Sequence, residues 1–186
     1  LAPKDGGGRR VVKSAAFGEG ARQTLDVYAP RGGAKAPVII FNYGGSWEIG
    51  NKDEYRFLAL AFTSRGFVTV IPDYRLLPHA HFPDFIEDGA AAVRWTRDHI
   101  GAYGGDPDRI VLVGHSAGAY NAMMVTLDTR YLRAAGVDDN AVKGMIGLAG
   151  PYDFLPLDAR ETKAAFSKAP DLAATQPIHF ARADAP

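Results

Sequence analysis

The pentapeptide Gly114-His115-Ser116-Ala117-Gly118 lies between the apolar run Arg109-Ile110-Val111-Leu112-Val113 and the helix-prone Ala119-Tyr120-Asn121-Ala122-Met123-Met124. A strand, a sharp turn and a helix in that order leave few folds open. A serine at the tip of such a turn takes a strained backbone angle, and strand and helix come so close that only hydrogen fits as the side chain two residues before and after it. The turn presents the Ser116 hydroxyl as a nucleophile, which points to serine-hydrolase chemistry. With 21 glycines in 186 residues, the bare spacing carries little weight. The flanking strand and helix carry the reading.

Composition suits one domain spanning residues 1–186. At 47% hydrophobic and 23% charged residues, the chain has enough apolar mass for one sizeable core. Lysine plus arginine and aspartate plus glutamate number 21 each, so no nucleic acid or anionic membrane surface is expected as a partner. No apolar stretch reaches the roughly 18 residues of a membrane-spanning helix, and Leu1 to Gly8 does not read as a signal peptide. The first residue is not Met, which implies upstream residues that were cleaved or omitted. The lack of cysteine excludes disulfides and thiolate metal sites and leaves the compartment open between cytoplasm and periplasm.

Strand-prone and helical runs alternate without an internal repeat or long linker, the rhythm of an α/β domain. Strands are expected at about 10–17 and 22–28, free to pair as a hairpin. The continuous apolar runs Val38–Phe41, Val68–Ile71, Ile110–Val113 and Met145–Leu148 read as central parallel strands covered on both faces. Phe82, Phe85, Ile86, Val93 and Ile100 predict an amphipathic helix over 82–103 with Pro83 in its first turn. A further helix over 54–65 ends at Gly66. After the third strand, Asn42-Tyr43-Gly44-Gly45-Ser46-Trp47 supplies two glycines whose bare N–H groups can approach a substrate carbonyl. With the N–H of Ala117, Gly44 and Gly45 form a candidate oxyanion hole. A plain glycine turn is the competing reading. Tyr43, Trp47, Phe82 and Tyr120 are candidates for a substrate pocket, with core packing as the alternative.

Several segments in order carry a resemblance. Tyr43-Gly44-Gly45-Ser46-Trp47 resembles the His-Gly-Gly-x-Trp motif and Asp73-Tyr74-Arg75-Leu76 the Asp-Tyr-Arg-Leu motif. Gly104-Gly105-Asp106-Pro107-Asp108-Arg109-Ile110 with Gly114-His115-Ser116-Ala117-Gly118 resembles the nucleophile region of α/β-hydrolase carboxylesterases. The pattern is most similar to the esterase and lipase group related to hormone-sensitive lipase and to arylformamidases, over nearly the whole chain. One departure is Tyr43 in the place of histidine; since the donors are backbone groups, this need not abolish catalysis. The resemblance implies an α/β-hydrolase fold, Ser116 as nucleophile, a small-molecule ester with a small or medium acyl group as substrate, and no cofactor or metal. It also implies an acid after a later strand and a histidine last in chain order. That order places both beyond Pro186, with the last strands of the sheet expected to be missing.

The acids and bases within the chain have other readings. His115 points beside the nucleophile, His79 and His81 sit in a proline-bounded loop, and His99 suits the end of a helix as a surface cation. His179 alone follows Ser116 in sequence but precedes the expected final strands. Asp153 could orient a histidine or cap a helix. Asp73 and Arg75 could pair with each other or cap the next element, Asp88 could tether a loop, and Asp106 and Asp108 shape the turn into the elbow strand. The edge of Met145–Leu148 is expected to be open, and to be covered by the missing C-terminal segment or by a second copy in a homodimer. Two alternatives to an esterase remain: an amidase or arylformamidase on the same scaffold, and a non-catalytic ligand-binding protein without a triad.

Overall fold

Six strands form one sheet in the computed structural model, which describes residues 7–186. The segment Leu1 to Gly8, which does not read as a signal peptide, falls mostly outside them. The strands are β1 (Gly8–Ala16), β2 (Thr24–Pro30), β3 (Ala36–Asn42), β4 (Val68–Pro72), β5 (Gly105–His115) and β6 (Val142–Leu148). Their order across the sheet is β1-β2-β4-β3-β5-β6. β1 and β2 form the expected antiparallel hairpin, and β2 lies antiparallel to β4. The β3–β4, β3–β5 and β5–β6 pairs are parallel. The continuous apolar runs are what a doubly covered strand requires, and every residue of β4 is buried.

The helices are α1 (Arg56–Thr63), α2 (Asp84–His99), α3 (Ala117–Leu127), α4 (Arg130–Ala134) and α5 (Arg160–Phe166). α1 is preceded by a 3-10 turn capped by the Asn51 side chain, which accepts from the N–H groups of Asp53 and Glu54. The chain leaves it through Gly66 at φ 88°, a left-handed turn that glycine adopts without cost. α2 continues as a 3-10 turn over Ile100–Tyr103 and stops at Gly104, again left-handed at φ 83°.

β6 has the open outer edge expected of Met145–Leu148, but it is not covered on both faces: Ile146 is 54% and Leu148 52% exposed. Among the described residues no strand pairs with its outer side. Residues 149–180 instead fold back across the ends of the strands. There Phe166 of α5 packs on Trp47, Phe85, Tyr120 and Phe154.

Sheet order reverses at β3: the chain runs from β3 outward to β4, then returns to lay β5 on the other flank. In open α/β sheets the loops leaving the two strands at such a reversal diverge and leave a crevice at their carboxyl ends. Here those loops are Tyr43–Trp47 and the turn at Ser116. Asn42 is in register with Gly114, so two residues later Gly44 and Ser116 emerge side by side.

The approach of α3 to β3 depends on missing side chains. A methyl at Gly114 would overlap the backbone of Gly118 and Ala119, and one at Gly118 would overlap the carbonyl oxygens of Asn42 and Tyr43. Gly118→Ala is therefore expected to destabilise the fold by about 3 kcal/mol, measured as a lower urea midpoint. Gly144→Ala, whose added methyl meets only Val111 at 3.9 Å, is the control expected to shift stability by under about 1 kcal/mol.

Candidate functional site

Ser116 occupies the turn between β5 and α3 with φ 52° and ψ −123°, a conformation that side-chain-bearing residues adopt only when their surroundings enforce it. Its N–H donates to Leu148 O at 2.8 Å, and its C=O accepts from Ala119 N at 2.9 Å and Tyr120 N at 3.1 Å. The backbone on both sides is thus held by hydrogen bonds. The side chain makes no capping bond to α3, so the hydroxyl is not spent on helix structure.

Gly44 abuts this turn. A side chain built there would lie 3.0 Å from Ser116 Cβ, 3.0 Å from His115 O and 3.1 Å from His115 Nδ1, so only glycine leaves room beside Ser116. Gly45, Ser46 and Trp47 then run through positive φ at 128°, 52° and 59°. The turn closes with the N–H groups of Glu48 and Ile49 both donating to Gly45 O. The N–H groups of Gly44, Gly45 and Ala117 donate to no backbone carbonyl among the described residues. Three bare donors thus lie on the two loops that flank the Ser116 hydroxyl, one of them on the first residue of α3. Such a set suits an oxygen that gains negative charge as an acyl carbonyl is attacked.

Trp47 and Tyr43, expected at a pocket wall, lie in the core. Trp47 is 3% exposed, packs on Phe85, Tyr120 and Phe166, and donates from Nε1 to Asn121 Oδ1 at 3.0 Å. Because Asn121 is on α3, this bond ties the glycine loop to the helix that carries Ser116. Tyr43 is fully buried, stacked between Tyr55 and Tyr74. Its hydroxyl donates to Asp73 Oδ1 at 2.6 Å and accepts from Arg22 Nη2 at 2.9 Å. Burial, then the Asp73 charge, raise its pKa well above the usual tyrosine value. Tyr120 is likewise buried, donating to Thr175 O at 2.7 Å.

The carboxylates have structural partners. Asp73 and Arg75 do not pair with each other. Asp73 accepts from Lys52 N at 2.8 Å and Lys52 Nζ at 3.0 Å, and Arg75 donates to Asp88 and Asp84. Asp88 tethers the loop, accepting from Arg75 N and from Gln23 Nε2, both at 2.7 Å. Asp106 and Asp108, expected in the turn before the strand, lie within the first residues of β5, where Asp106 accepts from Asp108 N. Asp153 is exposed and caps none of the described helices. None of the five histidines is hydrogen-bonded to Ser116. His99 bonds Trp95 O and stacks on its indole, His81 engages Ala164 O and Lys168, and His79, His115 and His179 are exposed. No cluster of three metal-ligating side chains occurs among the described residues, and none of the helices is long and apolar enough to cross a membrane.

Two residues near the turn escape sequence reasoning. The Asn121 amide is buried with Nδ2 unpartnered, and the buried Tyr152 hydroxyl, unpartnered too, lies over the Cα of Gly147 in β6. Their roles depend on contacts across elements, for which the sequence has no local signal.

Residues 25–180 match the BD-FAE family. The chain belongs to the BD-FAE family. Two of its curated relatives are a probable isoprenylcysteine alpha-carbonyl methylesterase of Oryza sativa subsp. japonica, 34% identical over 78% of this chain and 36% of that protein, and Esterase LipC of Mycobacterium tuberculosis, 31% identical over 78% of this chain and 37% of that protein. The chain spans about a third of the length of these relatives. Esterase B from Lactobacillus rhamnosis superposes with a TM-score of 0.84 at 23% identity, covering all of this chain and 64% of that one. An esterase from Pyrobaculum calidifontis gives a TM-score of 0.62 at 28% identity, over 69% of this chain and 41% of its own. The fold of this BD-FAE chain is accordingly the α/β-hydrolase fold.

Asn121→Ala removes the acceptor of the buried Trp47 indole N–H. It is expected to cost about 1–3 kcal/mol of stability, read from urea unfolding.

Proposed function

We propose that this chain carries the nucleophile and oxyanion site of a carboxylic ester hydrolase acting on small or medium acyl esters. The observation that carries the proposal is the geometry of Ser116: a strained turn residue with an uncommitted hydroxyl, set against Gly44. In the proposed reaction Ser116 Oγ attacks the ester carbonyl, and the carbonyl oxygen takes up negative charge toward the N–H groups of Gly44, Gly45 and Ala117. The alcohol leaves with a proton, and water then releases the carboxylic acid from the acyl-serine. Named esterases among the relatives support the reaction class.

The proton of Ser116 needs a base. No histidine among the described residues is hydrogen-bonded to it, so the proposal assigns the base and its orienting acid to polypeptide outside these 186 residues. The same observation favours a second reading, in which the scaffold binds a ligand without turning it over.

Incubating the intact natural protein with a fluorophosphonate separates the two. The catalytic reading expects one phosphonyl group added by intact mass and none on Ser116→Ala. In Gly44→Ala, whose methyl crowds Ser116 Cβ, labelling is expected to slow by at least about tenfold. A protein that stays unlabelled would establish the non-catalytic reading.

A further inference from the structure

A groove of about 550 Å³ lies between α5 and the loop ahead of α2. One wall is Arg160 and Ala164 of α5 with Ser167 and Lys168 of the turn that follows it. The facing wall is Leu77, Pro78 and His81, and Glu48 closes one end. Leu77 N donates to Trp47 O at 2.8 Å, so the floor is fixed to the loop that carries the bare glycine donors.

Of the two cations at this groove, one has carboxylate partners and one has none among the described residues. Arg160 Nη2 is 2.7 Å from Glu48 Oε2 and 3.7 Å from Glu161 Oε1, so its guanidinium faces two carboxylates. Lys168 has no carboxylate partner among the described residues. Its ammonium lies 2.8 Å from His81 Nε2, while His81 Nδ1 faces Ala164 O at 3.0 Å. A carbonyl can only accept, so Nδ1 carries the proton and Nε2 is the acceptor for Lys168. The imidazole is therefore neutral. Arg160 is answered by Glu48 and Glu161, so the Lys168 ammonium is the cation left without a carboxylate beside an apolar floor of Leu77, Pro78 and Ala164. Asp84, whose carboxylate accepts from His81 N, is turned to Arg75.

A second cavity of similar volume, between α2 and α4, lacks this asymmetry. Its Arg130 is paired in bidentate fashion with Asp128, and its Glu87 lies 3.6 Å from Arg75.

We propose that the groove between α5 and residues 77–81 binds a small amphipathic carboxylate, its head on Lys168 and its apolar body on Leu77, Pro78 and Ala164. The Lys168 ammonium, without a carboxylate partner among the described residues, selects an anion, and the apolar floor selects one with a hydrocarbon body over a bare inorganic ion. Such a ligand could be the acid released by ester hydrolysis or an acid from elsewhere. The site is defined by its own residues and does not require Ser116 to be reactive.

Calorimetric titration of the Ser116→Ala protein with octanoate, and with octan-1-ol as the neutral counterpart, tests this without any contribution from turnover. Octanoate is expected to bind with a Kd of about 0.1–1 mM and to move the amide resonances of Leu77, Ala164 and Ser167. Lys168→Met should raise that Kd at least about fivefold, Lys168→Arg should restore it, and the weaker binding of octan-1-ol should be unchanged by either. Acetate, with the same head and no body, should bind at least about tenfold more weakly than octanoate. Repeating the titration with the acid of whichever ester the natural protein cleaves fastest tells a product from an outside acid. The proposal is overturned if octanoate fails to bind at about 10 mM, binds no tighter than octan-1-ol, or is indifferent to Lys168→Met.

Discussion

The close contact between the first turn of α3 and the end of β3 sets the position of everything at the crevice. Gly118 lets that turn rest on the carbonyls of Asn42 and Tyr43, and this brings Ser116 beside Gly44. A side chain at Gly118 would push the helix outward and open the gap between Ser116 and Gly44. The strain at Ser116, φ 52°, is held by what surrounds it: the β5–β6 pairing that gives its N–H to Leu148, and the helix that takes its carbonyl.

Two buried polar networks keep the loops around that contact in place. Asp73, just past β4, gathers Tyr43, Lys52 and, at 3.8 Å, Arg22, joining the end of β3 to the turn before α1. Asp88 gathers Arg75 and Gln23, joining α2 to the residues after β4 and before β2. Each carboxylate is buried and paired, the only form in which a charge is tolerated there, and removal of either partner leaves the other uncompensated. The aromatic cluster of Trp47, Phe85, Tyr120 and Phe166 adds apolar cohesion, and the Trp47–Asn121 bond gives it a direction.

Much of this was legible in the sequence because it is local. The elbow has its glycines at fixed offsets, the parallel strands announce themselves as unbroken apolar runs, and the paired glycines after β3 stand out at a strand end. Features that depend on distant partners were not legible. Tyr43 and Trp47 read as pocket residues because they flank the glycines, yet their side chains turn inward to Asp73 and Asn121, partners 30 and 74 residues away. Asp73 and Arg75 read as a pair because they are adjacent on one loop, yet each finds an opposite charge elsewhere. Met145–Leu148 is apolar enough to suggest cover on both faces, yet Ile146 and Leu148 are exposed, since cover depends on which elements lie beside the strand. α5 has no strong periodic signal, and its position is fixed mainly by Phe166.

The central claim is that Ser116 and the N–H groups of Gly44, Gly45 and Ala117 form one site. The most direct measurement is a crystal structure of the protein after reaction with an alkyl phosphonate, whose tetrahedral phosphorus stands for the attacked acyl carbon. The account predicts phosphorus bonded to Ser116 Oγ, with the phosphoryl oxygen within about 3 Å of the glycine-loop and Ala117 nitrogens. A phosphoryl oxygen directed to solvent, or phosphorus on any other residue, would contradict it.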